Sequence, residues 1–209
     1  GGGNQVVCAA EAGYNGQDSF KYKASDGGTP PSGGESNAAT VTLQIFNAVY
    51  MAMMDTDPGW TLDSGWQWGT PTGGGGQYGN PDPTSGYTGS NVVGYNLAGD
   101  YENLLTPTRW AMTPAINCTG FNGVTLSFYR WLNVEQPLYD HAYIQVSNNG
   151  STWTAIWQNT AAVTDSMWIL LTYDISSVAD NQASVYIRWG MGPTDASWRF
   201  SGWNIDDVI

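Results

Sequence analysis

Eighteen acidic side chains stand against six basic ones in this 209-residue sequence, so the carboxylates are the first place to look for chemistry. A hard cation such as calcium takes its ligands from carboxylates, amides and carbonyls, which loops beside strands can supply. Asp55 and Asp57 stand just before the first expected strand of the larger part of the chain. Asp206 and Asp207 lie in its last. If those terminal strands run side by side, four carboxylates meet. Burial of such neighbours costs several kcal/mol unless a cation or hydrogen bonds compensate. A structural calcium is therefore expected at Asp55, Asp57, Asp206 and Asp207. The competing reading has Asp57 opening a turn at Asp57-Pro58-Gly59 and Asp206 bonded to backbone amides. A second acidic group, Glu135, Asp140 and Asp195, falls at expected strand ends.

Hydrolytic chemistry has little to stand on. The single histidine, His141, follows Asp140 at the start of an expected strand, whereas a triad needs it beside a nucleophile and an orienting acid. There is no Gly-x-Ser-x-Gly elbow, and one histidine cannot make a His-Glu-x-x-His zinc motif. The carboxylates allow many glycosidase-like pairs, but nothing marks one as special. The expectation is a protein that is not an enzyme.

Eleven tryptophans suggest sugar binding, because an indole face can stack on a pyranose ring. Trp131, Trp189 and Trp203 read as core. Trp153 and Trp157, four apart in one expected strand, should share a face. Trp66, Trp68, Tyr78, Tyr87 and Trp198 fall in expected loops, where an aromatic has less packing reason to be, and are the candidate ligand contacts. Cys8 and Cys118 could form one disulfide in an oxidising compartment, or remain two buried thiols. Asn117-Cys118-Thr119 and Asn149-Gly150-Ser151 fit the glycosylation acceptor pattern.

These residues need elements to hold them, and the composition points to strands. Glycine, tyrosine and tryptophan abound, while lysine and glutamate are scarce. The nearest approach to a helical period is Trp168 to Ala179. A boundary falls near residue 48. Before it, Asp18 to Ala24 and Ala39 to Phe46 alternate as strands around the Gly/Pro-rich loop Asp26 to Gly34, with a short strand at Gln5 to Cys8. Phe20, Tyr22 and Ala24 share one face, and Val41, Leu43 and Ile45 point inward. After the boundary, strands are expected at Val92 to Leu97, Val124 to Val134, Ala142 to Ser147, Trp153 to Gln158, Ser184 to Met191 and Gly202 to Ile209. The third and fourth of these read as a hairpin through Asn148-Asn149-Gly150-Ser151. Pro71 to Tyr87 is a long glycine-rich loop lacking the Lys-Ser/Thr and the strand-to-helix context of a phosphate loop. The fold class is all-β: a jelly-roll β-sandwich over 49–209, preceded over 1–48 by a partial Ig/cadherin-like β segment.

A net charge of −12 repels nucleic acid and anionic membrane surfaces. The one long apolar-leaning run, Phe46 to Met54, is too short to span a bilayer. The sequence opens on Gly1-Gly2-Gly3 rather than Met, so a targeting segment is expected to have been removed or never included.

Two resemblances add to this reading. Residues 13–27, from Gly13-Tyr14-Asn15-Gly16 through Ser25-Asp26-Gly27, followed by Ser36-Asn37 and Ala39-Thr40-Val41-Thr42-Leu43, resemble the end of a cadherin-like tandem Ig repeat of bacterial surface proteins. The match covers residues 4 to 47, about half a repeat. Residues 59 to 209 resemble the MAM-like, immune-inhibitor-type jelly rolls of secreted bacterial proteins. This second match runs through Gly59-Trp60, Trp66-Gln67-Trp68-Gly69-Thr70-Pro71 and Asn96-Leu97-Ala98-Gly99-Asp100-Tyr101. It closes on Gly202-Trp203-Asn204-Ile205-Asp206-Asp207-Val208. The second resemblance implies the sandwich and leans towards the structural calcium.

Three functions compete. The first is a non-catalytic adhesion module, extracellular or on the cell surface, that binds a glycan or a surface protein. The second is a filament or surface-layer subunit, in which copies of the chain complete the half repeat by strand exchange. The third is an accessory domain of a secreted hydrolase.

Overall fold

The computed structural model describes residues 16–30, 33–45 and 48–209. The chain divides into two compact units, Gly1–Ala48 and Val49–Ile209. The expected strand Gln5 to Cys8 and the first residues of the cadherin-like match, Gly13 to Asn15, lie outside the described residues.

In the first unit, β1 (Gly16–Tyr22) and β2 (Ala39–Ile45) pair antiparallel, with Phe20 opposite Val41. The alternating period forces that register, because a one-residue slip would turn every apolar side chain to the other face. In the connecting loop the Asp26 carboxylate accepts the Gly28 and Gly34 amides, both at 2.8 Å. Those two bonds hold its carboxyl below the usual carboxylate range, Gly34 contributing most.

The second unit is a sandwich of two antiparallel sheets. Its strands are β3 (Thr61–Leu62), β4 (Trp66–Gly69), β5 (Val92–Tyr95), β6 (Arg109–Met112), β7 (Thr125–Val134), β8 (Ala142–Ser147) and β9 (Thr154–Gln158). They continue with β10 (Val163–Thr164), β11 (Ile169–Asp174), the short helix α1 (Ser176–Ala179), β12 (Tyr186–Met191) and β13 (Gly202–Asp206). One sheet has the order β3-β6-β12-β8-β9. The other runs β10-β7-β13-β5-β4, with β11 also paired to β7. The chain crosses repeatedly between them, so each sheet covers the other's apolar face. Between the sheets Trp60 stacks on Trp189 at 4.9 Å, and Phe128 meets Trp189 edge-on at 5.4 Å. Ile144, Val146, Trp203 and Ile205 complete this buried centre. Among the described residues no helix is long and apolar enough to cross a membrane.

Most expected strands coincide with observed ones, and three local expectations are corrected. Trp168 to Ala179, the nearest helical candidate, is mainly strand β11. Ile169, Leu171 and Tyr173 are half-buried while their neighbours Leu170, Thr172 and Asp174 are exposed, a two-residue period. The β8–β9 hairpin forms, but with a bulge: Ile144 opposes Trp157 while Gln145 opposes Ala155, which leaves Ile156 as the extra residue. An extra residue inverts facing. Trp157 therefore points to the core against Trp203, while Trp153 lies outside under Arg188, and the two do not share a face. Finally, β13 stops at Asp206, because Asp207 adopts φ 47°, a left-handed conformation that breaks a strand.

Candidate functional site

Three connections of the second unit, 101–108, 135–141 and 192–201, are laced together. Leu104 N donates to Asp195 O at 2.7 Å, and Leu105 N donates to Thr194 Oγ1 at 3.0 Å. Thr194 Oγ1 in turn donates to Glu102 O at 2.8 Å. His141 N donates to Pro193 O at 3.1 Å, and Tyr101 N donates to Phe200 O at 3.0 Å. Asn103 Nδ2 reaches Ala196 O and Ser197 O, both at 2.9 Å. Such a mesh gives loop residues the fixity that strands have.

The second acidic group is assembled at this junction. Ligand atoms of Glu135, Asp140 and Asp195 all lie within 4.8 Å of one another. Asp140 is fully buried; its Oδ2 accepts the Tyr101 hydroxyl and its Oδ1 accepts Asp195 N at 2.9 Å. Asp195 Oδ1 accepts Ser197 N at 2.7 Å, and the Ser197 hydroxyl lies 2.8 and 2.9 Å from its two carboxylate oxygens. Glu135 is 5% exposed, and its Oε2 has no hydrogen-bond partner among the described residues. Burial first, then the Asp140 and Asp195 charges, push the Glu135 carboxyl above its ordinary value. Burial likewise raises Asp140, although Tyr101 and the Asp195 amide pull the other way. Beneath them Asn159 Nδ2 donates to the carbonyls of both Glu135 and Asp140 at 2.9 Å.

The same loops carry exposed apolar side chains: Leu104, Leu138, Tyr139 and Trp198, the last 49% exposed. Tyr78, from the glycine-rich loop, stacks on Trp198 with centroids 4.8 Å apart and planes 15° from parallel. Phe200 supports Tyr78 at 6.0 Å. Beside this pair Arg199 Nη2 donates to Gln77 Oε1 at 3.2 Å. Of the five aromatics expected in loops, Tyr78 and Trp198 thus form one platform. Tyr87 is exposed elsewhere, stacked on Tyr129 at 3.5 Å. Trp66 and Trp68 are not loop residues but belong to β4. Trp66 is 5% exposed and donates Nε1 to Arg109 O at 3.0 Å, while Trp68 packs on the core and donates to Met54 O at 2.8 Å. Their expected placement in loops is corrected accordingly, and Trp66 is buried while Trp68 is half-buried. A four-residue strand is too short to show its period in sequence.

The first acidic group lies along the seam where the unit's two ends meet. Ala52 and Val208 exchange both backbone bonds, at 2.8 and 2.9 Å, so the terminal segments do run side by side. Asp206 is fully buried; it accepts Thr88 N at 3.1 Å, while Asp207 accepts Thr88 Oγ1 at 2.7 Å. Burial, then the neighbouring Asp207 charge, push Asp206 up to about 7. Asp207 is raised by burial and by the Asp55 charge. Oxygens crowd this place. A methyl group built on Gly86 would sit 2.3 Å from Thr88 O, 2.6 Å from Asp206 Oδ2 and 2.9 Å from Asn91 O. One built on Gly89 would lie 1.8 Å from Asp55 Oδ1. A hard cation fits this donor set. Asp57 is apart from it chemically: exposed, with its Oδ1 accepting Gly59 N at 2.9 Å, the turn that the Asp-Pro-Gly sequence also allowed.

Sequence reasoning passed over Tyr101, which clamps Asp140, and Thr88, which ties down both seam aspartates; neither has a local signal. It also passed over Asp82 and Asn204, both buried in contact at 2.7 Å through Asn204 Nδ2 and Asp82 Oδ1. Asp82 Oδ2 and Asn204 Oδ1 lack partners among the described residues. Burial, with a smaller contribution from the Asp100 charge, pushes Asp82 up to about 8. Cys118 is a buried thiol, and the Cys8 half of the expected pairing lies outside the described residues.

No family model matches the chain. It is similar to bacillopeptidase F of Bacillus subtilis (strain 168), 27% identical over 197 residues. That match takes in 91% of this chain but only 12% of the bacillopeptidase. Among solved structures, carbohydrate-binding modules of the β-sandwich superfamily align with TM-score 0.47 and 14% identity, covering 93% of this chain and 74% of theirs. The K1 cleaved adhesin domain of Lys-gingipain from Porphyromonas gingivalis W83 aligns with TM-score 0.45 and 17% identity, over 76% and 95%. A family 22 xylan-binding domain aligns with TM-score 0.44 and 16% identity, over 77% and 91%.

Proposed function

We propose that the chain is a non-catalytic, extracellular binding module that takes a glycan on the Tyr78–Trp198 platform and is held at its seam by calcium. The stacked pair carries this reading. Trp198 keeps a flat indole face half in water where packing gives no reason for one, and the laced loops fix it there. The C–H face of a sugar ring packs on such a surface with little entropy lost by the protein. Calcium at the seam is supported by Asp206 Oδ2, Thr88 O and Asn91 O closing around Gly86, with Asp207 adjacent and the Asp55 charge felt by Asp207. When bound, the ion would neutralise two adjacent buried carboxylates and join the unit's ends. Acidic surfaces with calcium sites suit the outside of cells, where that ion is plentiful.

A non-catalytic role is supported by the chemistry present. The one histidine stacks on Tyr143 at 5.9 Å.

Affinity electrophoresis through gels containing soluble plant and bacterial polysaccharides tests the glycan reading. The wild-type chain should be retarded by at least one polysaccharide. Trp198→Ala should lose roughly tenfold in affinity, about 1.4 kcal/mol, while melting at the wild-type temperature. Equal retardation of the two proteins, or none by any polysaccharide, would defeat the proposal.

A second reading, a filament subunit, is favoured by one observation. Among the described residues the β1–β2 ribbon is a two-stranded sheet with largely exposed side chains, to which another strand could add.

A further inference from the structure

We infer that Glu135, Asp140 and Asp195 form a second divalent-cation site, for calcium, separate from the seam and independent of the glycan reading. Three carboxylates within 4.8 Å are costly to bury together. Among the described residues the usual remedies reach only part of the group. No Lys or Arg ion pair reaches the group: the two present are Lys23 with Glu35 and Arg130 with Asp165. Arg188 lies 3.8 Å over the rings of both Trp110 and Trp153, and Arg199 bonds Gln77. Hydrogen bonds satisfy Asp140, through Tyr101 and the Asp195 amide, and Asp195, through Ser197. They leave Glu135 Oε2 with nothing, in a side chain 5% exposed. That atom is an acceptor waiting for positive charge. A proton on it would relieve the repulsion but would then need an acceptor of its own. A metal ion needs none and serves all three oxygens at once.

The donors select the ion. They are all oxygen, which excludes the soft and borderline metals that prefer sulfur and imidazole. All three ligand atoms lie within 4.8 Å of one another, within reach of one hard cation, and calcium's flexible oxygen shell with bonds of ~2.4 Å suits ligands supplied by loops. The ligands come from the 135–141 and 192–201 loops, and Tyr101 of the third loop is bonded to one of them. The ion would therefore tie together all three connections of the loop end, with Asp195 three positions before Trp198. Water would complete its shell.

Calorimetric titration of the chelator-stripped full chain with calcium chloride tests this site by itself. Glu135→Gln should abolish one binding event that Asp206→Asn leaves intact, whether or not the seam also binds. Melting gives a second readout that a merely structural glutamate would not move. In chelator the neutral amide relieves crowding, so Glu135→Gln should melt at or above wild type. In millimolar calcium it should melt below, and the order of the two proteins should reverse. If Glu135→Gln binds as many calcium ions as wild type, or keeps the same rank with and without calcium, the site does not exist. Should Glu135→Gln unfold, Asp195→Asn carries the same two tests from a less buried position.

Discussion

Asp82 is the residue whose chemistry sequence could least foretell. It sits in a loop rich in glycine and proline, where an aspartate ordinarily faces water, yet it is buried against Asn204 of β13. Its carboxyl, lifted by burial to about 8, keeps a proton that the unfolded chain releases near 4. The folded state therefore binds more protons between about pH 4 and about pH 8. The stability this contributes is full below that window and lost as pH rises through it, at up to ~1.4 kcal/mol per unit. Asp82→Asn has no proton to lose, and its amide can donate to the unpartnered Asn204 Oδ1. Its melting temperature should match wild type near pH 5 and exceed it near pH 9. The slope left in the variant belongs to the other buried carboxyls held above their ordinary value, Asp206 (pushed up to about 7), Asp207, Glu135 and Asp140. A variant that falls as steeply as wild type would mean that Asp82 is ionised in the native protein. The legible residues were those repeated in type: the carboxylates at strand ends were found because acids there have few structural uses. Tyr101 and Thr88 were missed because a hydroxyl aimed at a carboxylate leaves no mark in one sequence.

At the level of elements, length decided what could be read. The long strands β7, β8 and β12 announce themselves by alternation over six or more residues. Strands β3 and β10, of two residues each, exist only because a neighbour pairs with them. The bulge at Ile156 shows a different limit: a period-two rule places Trp157 correctly only if no residue is inserted, and insertion depends on the partner strand. Where β12 pairs with β6, Gly190 lies opposite Trp110, and backbone and ring approach closely. A methyl group on Gly190 would sit 2.5 Å from Trp110 Cζ3. Trp110 cannot retreat, because Arg188 lies 3.8 Å over its ring. Gly190→Ala should therefore destabilise by about 1–3 kcal/mol, read as a lower midpoint in urea with an unchanged slope. An unaltered midpoint would show that the ring moves freely.

For the molecule as a whole, the sandwich was legible because two sheets are the only economical way to bury this many alternating apolar strands. The order of strands within each sheet was not, since it depends on pairings far apart in sequence. The proposed calcium would act at this scale. Light scattering and thermal melting, each with calcium and then with EDTA, should give a monomer in both conditions and a lower melting temperature in EDTA. A large assembly that dissociates on chelation would instead favour the filament subunit, completed at the β1–β2 ribbon.

The Ala52–Val208 pair has a mechanical consequence. The two segments are antiparallel, so a pull applied through Met51 and Ile209 drags both from the same edge of the pair. That geometry peels bonds one after another instead of loading them together, and it yields at low force. Ile209 also exchanges both backbone bonds with Ser127 of β7, at 2.8 and 2.9 Å, and Asp206 and Asp207 follow directly behind both pairs. An ion gripped there would act as a rivet at the start of the tear. The tension at which the seam opens would then depend on the calcium around it.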